Sequence, residues 1–175
     1  MSYLIRKANV DDIPRLEELL HAYMQETYHG AWGGTKQRLQ LHLSGSEVKI
    51  TIAETFGREV IALVAWVPTY DLHWCLKGGE VIDLFVCLPH RSRGVALLLI
   101  TDVADEIQKQ GGTYLKGGAV DSAIVHRLYQ RLAMGLPGGE YYISGRAFRR
   151  LAELAGKKLR EIISNLPERE WNREP

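Results

Sequence analysis

A short basic segment carries the residue types in this chain that are best suited to chemistry. It contains Arg91, Ser92, Arg93 and Gly94, and Ala96 follows two residues later. Guanidinium groups donate paired hydrogen bonds to phosphate oxygens. If a helix begins here, its first turn adds backbone N–H groups without an intrahelical partner, and Gly94 and Ala96 leave those groups accessible. The segment therefore predicts a binding site for a phosphate or a diphosphate.

The flanking residues predict a buried strand before this segment and a helix after it. Residues 81–86 form a short apolar run rich in β-branched and aromatic side chains, which is typical of a buried strand. Pro89 ends the run, because proline has no N–H for a sheet ladder. From Val95 to Ile107 apolar residues recur at helical spacing, and Gly111-Gly112 is a helix stop signal. The order strand, basic loop, helix is the context that an anion site requires.

Two acids accompany the predicted strand and are candidates for proton transfer. Asp83 lies inside the apolar run, where an unpaired carboxyl is costly, so a paired or functional role is favoured. Glu80 follows two glycines, and both an exposed surface acid and a functional base remain as interpretations. The two residues are three apart, so a regular strand places them on opposite faces, although a bulge would alter this.

Length and composition predict one domain of ordinary globular character. The chain has 175 residues, 46% of them apolar and 25% charged. We expect a single domain over residues 1–166 and a loosely held charged tail over residues 167–175. The formal net charge of +1 argues against general binding of nucleic acid or of an anionic membrane.

Cysteine and histidine usage predicts no metal and a reducing compartment. The two cysteines give neither a disulfide framework nor zinc-ligand spacing, and the six histidines are scattered. The N-terminus lacks a long apolar signal region, and no apolar run approaches the roughly 18 residues that span a bilayer. We therefore expect a cytoplasmic protein without a metal and without a membrane partner.

The rest of the chain predicts alternating strands and helices. A half-buried strand over residues 48–52 pairs in a hairpin with a buried strand over 60–67. A longer connection covers 68–79, and a glycine-rich turn covers 134–140. Further strands are predicted over 3–6, 113–116 and 141–143, and further helices over 13–23, 36–43, 121–132 and 146–165.

The spacing Arg91-x-x-Gly94-x-Ala96 resembles the Arg/Gln-x-x-Gly-x-Gly/Ala signature of the GNAT superfamily of N-acetyltransferases. The chain has neither a P-loop motif nor a Gly-x-Gly-x-x-Gly after a strand. The predicted order β-α-α-β-β-β-α-β-α-β-α also resembles that superfamily, over about residues 3–154. The pattern is most similar to the spermidine/spermine (diamine) acetyltransferase branch and its bacterial relatives, on residues 83–86, 91–96, 121–123, 128–129 and 144–154.

The resemblance implies an α/β (α+β) GNAT fold and acetyl-CoA as co-substrate. The fold would have a central mixed, mostly antiparallel β-sheet with helices on both faces and splayed central strands. A backbone N–H at about Leu84 would face the thioester oxygen, as in an oxyanion hole. The residues implied to bind acetyl-CoA are Leu84, Phe85 and Val86 for the pantetheine arm, Arg91, Ser92, Arg93, Gly94, Val95 and Ala96 for the diphosphate, and Ser122.

The resemblance also implies three catalytic candidates. Glu80 matches the general base of one GNAT branch, and Asp83 matches an acid that holds a cationic substrate in the polyamine branch. Tyr129 matches the general acid that protonates the leaving thiolate. Beyond Tyr129 the chain departs from the usual Gly-Phe pattern, with Ala-Met-Gly-Leu-Pro-Gly-Gly over residues 133–139.

The implied function is transfer of an acetyl group to a primary amine of a small molecule or peptide. Two alternatives stay open at this point. One is a GNAT-fold module that binds acetyl-CoA without turnover, and the other is acetylation of a protein N-terminus or an aminoacyl-tRNA. The last helix and residues 141–143 are candidate surfaces for a homodimer.

Overall fold

The described residues of this computed structural model, 3–45, 47–118, 131–135 and 140–167, form a seven-stranded sheet and five α-helices. The strands are β1 Leu4–Lys7, β2 Lys49–Glu54, β3 Val60–Asp71, β4 Leu76–Val86, β5 Tyr114–Gly118, β6 Met134–Gly135 and β7 Glu140–Ser144. The helices are α1 Ile13–Tyr28, α2 Lys36–Ser44, α3 Val95–Lys109, α4 Gly145–Glu153 and α5 Leu159–Ser164. Two 3-10 turns cover Val10–Asp12 and Leu88–His90.

The sheet is mixed, as the sequence predicts. Its strand order is β1-β2-β3-β4-β5-β7-β6. Strands β4 and β5 pair in parallel, whereas β1 with β2, β5 with β7 and β6 with β7 pair antiparallel. A parallel pair needs a crossover connection, which helix α3 supplies between β4 and β5.

The chain divides into two compact units, the first formed by Met1–Ala65 and Asp83–Leu99. Helix α1 carries an apolar stripe that packs into the core of this unit, as its helical spacing predicts. Burying these side chains supplies most of the stabilising free energy of the unit. The buried core residues are Ile13, Leu16, Leu19, Tyr23, Leu39, Ile50, Ile52, Val60, Leu63, Ala65 and Phe85.

The second unit is formed by Trp66–Ile82 and Ile100–Pro175. Its two consecutive strand glycines make room for large side chains. A Cβ at Gly78 would stand 2.5 Å from the Tyr114 ring, and one at Gly79 would stand 2.4 Å from the Ile107 side chain. The Tyr114 ring stacks on Tyr142 with centroids 4.8 Å apart. These glycines are therefore packing residues of the strand.

The hairpin between β3 and β4 corrects the predicted long connection over residues 68–79. Strand β3 continues to Asp71 and β4 begins at Leu76, so only four residues connect them. Pro68 signals a strand end because it lacks an N–H. The strand continues through Pro68, which is exposed.

Three further expectations differ from the structure. Strand β2 was expected to be half-buried, but both of its faces are buried. Thr51 and Ala53 are small, and Glu54 accepts a hydrogen bond from Arg6. The predicted helix 146–165 is interrupted after Glu153, since Gly156 takes a left-handed φ of 73°. The predicted turn 134–140 contains strand β6. The predicted helix at residues 121–130 and the tail from residue 168 lie outside the described residues.

An ionic triad links β1, β2 and the turn before α1. The Arg6 guanidinium donates to both oxygens of Asp12 at 2.8 and 2.9 Å, and its Nε donates to Glu54 Oε2 at 2.9 Å. The Asn9 N–H also donates to Asp12. The bond from Arg6 keeps the pKa of the Asp12 carboxyl below its usual range. Asp12 therefore acts as a structural ligand of Arg6, while Asn9 caps the 3-10 turn.

We expect Asp12→Asn to lower the free energy of unfolding by about 2 kcal/mol at pH 7, because it removes hydrogen bonds between charged groups. The folded-state pKa of Asp12 is lowered, so its contribution is complete above the unfolded pKa of about 4 and is lost as the pH falls. Urea unfolding at pH 7 and at acidic pH measures the difference. The exposed neighbour variant Asp11→Asn is the control, and an equal loss in both variants would contradict the triad.

Candidate functional site

The turn between β4 and α3 places exposed residues directly before the start of a helix. Ser92 and Gly94 take left-handed φ values of 57° and 80°, and Ser92 and Arg93 are exposed. The first helical hydrogen bond of α3 runs from the Leu98 N–H to the Gly94 oxygen at 3.1 Å. The N–H groups of residues 95–97 precede that bond, so they have no intrahelical acceptor. This geometry fits a diphosphate, whose oxygens match the N–H groups and the positive end of the helix dipole.

Ser92 holds a left-handed backbone conformation in this turn, as His29, Arg58 and Cys75 do elsewhere in the chain. A left-handed conformation costs a non-glycine residue roughly 1–2 kcal/mol. Such strain persists only where the surrounding structure enforces it, and it is concentrated at functional sites. Ala96 is only half-buried, so the start of the helix stays accessible. Ser92, Arg93, Gly94, Val95 and Ala96 form one loop and the first residues of α3, and their role in binding stays a prediction.

Arg91 faces the protein. Its Nη1 and Nη2 donate to Glu26 Oε1 and Oε2 at 2.5 and 2.7 Å, and its Nε donates to the Val86 oxygen at 2.8 Å. The guanidinium carbon lies 5.5 Å from the centre of the Phe85 ring. These contacts raise the pKa of Arg91 and lower that of Glu26. Arg91 therefore braces the loop against α1, and its predicted contact with a phosphate stays a prediction.

The predicted pantetheine segment continues β4 beyond its ladder with β5. The ladder pairs Gly78 through Val81 with Tyr114 through Gly117, and β4 runs on to Val86. The side chains of Phe85 and Val86 are buried and that of Leu84 is half-buried. The side chains of Phe85 and Val86 belong to the core as expected, and the backbone role of Leu84 stays a prediction.

Asp83 is a half-buried carboxyl with a neutral partner. Burial raises the pKa of Asp83, and a hydrogen bond from the Tyr23 hydroxyl opposes that shift. Tyr23 is 7% exposed and belongs to the apolar stripe of α1. Its hydroxyl was not identified from the sequence as part of a site. A signal was present, because a buried tyrosine hydroxyl needs a partner and so does a buried acid.

Glu80, in the second unit, has a cation as its partner. Lys116 Nζ lies 2.8 Å from Glu80 Oε2, and the two residues are directly opposite in the β4–β5 register. Cross-strand pairs of opposite charge stabilise a sheet. Lys116 was not identified from the sequence as the partner of Glu80. An ion pair competes with the role of general base, which stays a prediction for Glu80.

Two predicted site residues, Ser122 and Tyr129, lie outside the described residues. Within the described ranges, no group of three or more potential metal-ligating side chains lies together. No helix in the described part of the chain combines the length and hydropathy needed to cross a bilayer.

Solved structures of acetyltransferases share this architecture. A ribosomal-protein-alanine N-acetyltransferase from Brucella melitensis biovar Abortus 2308 matches with a TM-score of 0.65 at 20% identity, over 78% of this chain and 94% of the other. A GNAT-family acetyltransferase from Staphylococcus aureus Mu50 matches with a TM-score of 0.61 at 12% identity, over 82% and 99%. This chain has the GNAT fold. The α/β (α+β) class and mixed sheet predicted from the sequence are thereby confirmed.

A third match to the GNAT fold contains coenzyme A. It is the PaiA N-acetyltransferase from Thermoplasma acidophilum in complex with coenzyme A, with a TM-score of 0.65 at 14% identity, over 83% of this chain and 100% of the other. No protein-family model matches the sequence, and no curated protein matches it. At these identities the shared property is the fold.

We expect Gly94→Ala to weaken binding of coenzyme A about tenfold, which corresponds to about 1.4 kcal/mol. A Cβ at this left-handed position strains the turn and obstructs the N–H groups. Isothermal titration calorimetry measures the affinity. Gly111→Ala is the matched control, because Gly111 has a φ of 78° at the other end of α3 and open space around its Cβ position. Equal weakening in both variants would contradict the proposed loop site.

Proposed function

We propose that this protein is an acetyl-CoA-dependent N-acetyltransferase that acts on a primary amine of a small molecule or peptide. The observation that carries the proposal is the β4–α3 turn, with exposed Ser92 and Arg93 and left-handed Ser92 and Gly94 in front of helix N–H groups that have no intrahelical acceptor. The GNAT fold of the chain and a coenzyme A complex of one structural neighbour support it.

Different groups of the chain would bind acetyl-CoA, stabilise its thioester oxygen and protonate its sulfur. When bound, acetyl-CoA supplies an acetyl group activated as a thioester. Residues 92–96 would hold its diphosphate, and the Leu84 N–H would donate to the thioester oxygen as negative charge develops there. Tyr129 would donate its hydroxyl proton to the departing sulfur as the C–S bond breaks.

Asp83 is a better candidate than Glu80 for the carboxylate that binds and deprotonates the amine. An ammonium has no lone pair, so it must lose a proton before nitrogen attacks the carbonyl carbon. The carboxyl of Asp83 is hydrogen-bonded to a neutral hydroxyl, whereas that of Glu80 is already paired with Lys116. Burial raises the pKa of Asp83, which makes it a stronger base than an exposed aspartate. We therefore assign Asp83 to hold the ammonium and take its proton.

The acceptor class is the first thing to test. An acceptor screen read by thiol release from acetyl-CoA should include alkyl diamines, because the sequence resembles the diamine branch, together with amino sugars and short peptides. If no amine gives thiol release while coenzyme A still protects the chain from heat, the chain is a binding module. Label transfer only to lysate proteins or RNA would instead indicate a macromolecular acceptor.

We expect Tyr129→Phe to lower kcat about 100-fold, because the thiolate loses its proton donor. The affinity for coenzyme A should stay within about twofold, since the ring is retained. Steady-state kinetics and calorimetry separate the two effects. A variant with unchanged turnover would remove Tyr129 from the mechanism.

A further inference from the structure

A groove lies beside β1, the first strand in the order of the sheet, within the first unit. It has a volume of about 720 Å³ and is lined by residues of β1, of the 3-10 turn before α1 and of the end and turn of β2. Pockets that hold small ligands usually enclose about 300–1,000 Å³. The lining residues fall within 3–12 and 54–58, whereas the candidate acetyl-CoA loop covers residues 91–96. The groove is therefore a different place from the site described above.

The Arg6 guanidinium lines the groove, but its donors are occupied by the protein. It donates to both oxygens of Asp12, to Glu54 Oε2 and to the Lys7 carbonyl oxygen. Its Nη2 also lies 2.8 Å from Glu54 Oε2. A guanidinium has five N–H donors, and these contacts account for them. What Arg6 leaves to the groove is therefore the remaining acceptor capacity of its two carboxylate partners.

One oxygen of the Glu54 carboxylate has no hydrogen-bond partner among the described residues. Oε2 accepts from Arg6, and no described group donates to Oε1. The Glu54 side chain is 10% exposed. Thr113 Oγ1 is the single fully enclosed side-chain N or O atom without a partner in the described part of the chain, so Glu54 Oε1 keeps contact with solvent. Because Glu54 lines the groove, that contact is with the groove.

The charges of the groove favour a cation beside this oxygen. The lining residues include three carboxylates, of Asp11, Asp12 and Glu54, and two guanidinium groups, of Arg6 and Arg58, which leaves a net charge of −1. Arg58 is exposed, so water and salt screen its charge, whereas the Glu54 carboxylate is nearly buried. A buried carboxylate oxygen forms its strongest hydrogen bond with a charged donor.

Two exposed apolar side chains accompany the carboxylate. Leu4 is 56% exposed and lies directly opposite Glu54 in the β1–β2 register, so the two side chains are on the same face of the sheet. Phe56 is 85% exposed, on a turn closed by hydrogen bonds of 2.9 Å from the Thr55 and Arg58 N–H groups. Both side chains line the groove. An aromatic ring in this place can contact an alkyl chain or a cation.

We propose that this groove binds an organic cation, an ammonium or guanidinium group carried on an apolar chain. The charged group donates to Glu54 Oε1, and the chain packs against Leu4 and Phe56. This site is additional to the proposed acetyl-CoA and acceptor sites and does not depend on turnover.

Two probes of the same shape test the charge of the ligand. Butylguanidinium carries the cation, and butylurea is its neutral counterpart. We expect butylguanidinium to bind the full chain about tenfold more tightly, the effect of one hydrogen bond between charged groups. Amide NMR of nitrogen-15-labelled protein measures both affinities and should show shifts at residues 4 and 54–58. Equal affinities, or shifts confined to other residues, would overturn the proposal.

A pair of variants tests the contact with Glu54. Glu54→Gln should reduce the preference for butylguanidinium to about twofold, because the charged acceptor is lost. Glu59→Gln is the matched control, since it removes the same charge from the same hairpin at a side chain that is 62% exposed and paired with Arg15. It should keep the tenfold preference. An equal loss in both variants would reduce the effect to net charge and overturn the site.

A third variant keeps the test decisive if Glu54→Gln does not fold. Phe56→Ala removes an exposed ring and should weaken both probes about threefold, because each loses apolar contact. Leu41→Ala, at a residue 72% exposed on α2, is the control and should leave both affinities unchanged. Unchanged binding in Phe56→Ala would overturn the proposed contact, and binding of acetate in place of butylguanidinium would overturn the charge assignment.

A peptide arm identifies the source of the cation. If the capped pentapeptide Ala-Ala-Arg-Ala-Ala binds more tightly than butylguanidinium and shifts the same amides, the site takes a basic side chain of a peptide. Weaker binding of the peptide assigns the site to a free small cation. A guanidinium is not a primary amine, so these titrations give their answer even if the acceptor screen finds no activity and the proposed function fails.

Discussion

The ion pair between Arg91 and Glu26 is the contact on which the candidate site of the first unit depends. It joins the loop after β4 to helix α1 through two hydrogen bonds, and a third bond from the same guanidinium returns to the Val86 carbonyl. An isolated surface pair contributes little free energy. This pair is bidentate, is supported by a backbone acceptor and covers an aromatic ring, so it holds a geometry that a flexible pair would not. The loop after β4 is thereby fixed to helix α1 at the end of the strand.

The two acids of β4 have different kinds of partner. Glu80 forms an ion pair with a lysine across the ladder. Among the described residues, the neutral Tyr23 hydroxyl is the group that opposes the effect of burial on the pKa of Asp83. The sequence places Asp83 inside an apolar run and Glu80 just before it, but it does not identify the partner of either acid. Their partners come from β5 and α1, which are distant in the sequence.

Local patterns predicted those parts of the fold that local forces decide. The strand, loop and helix around Gly94 were predicted correctly, because apolar periodicity, a glycine turn and a helix stop act within a few residues. The continuation of β3 through Pro68 and the burial of both faces of β2 depend on neighbouring strands, and no local pattern contains them. Arg91 shows the same limit within the site. An arginine at this position predicts a contact with phosphate. In the structure its guanidinium donates instead to a glutamate 65 residues earlier in the chain.

The β3–β4 hairpin of the second unit has a rigid base and an open tip. The Tyr114 hydroxyl meets Thr69 at 3.0 Å, and Asp71 accepts the N–H groups of His73 and Trp74. Gly78 lies under the Tyr114 ring, and a larger residue there would displace that ring. The tip residues 72–75 are exposed, so substitutions there leave the base of the hairpin in place. New surface chemistry at the tip could therefore arise by single substitutions, with little loss of folding stability.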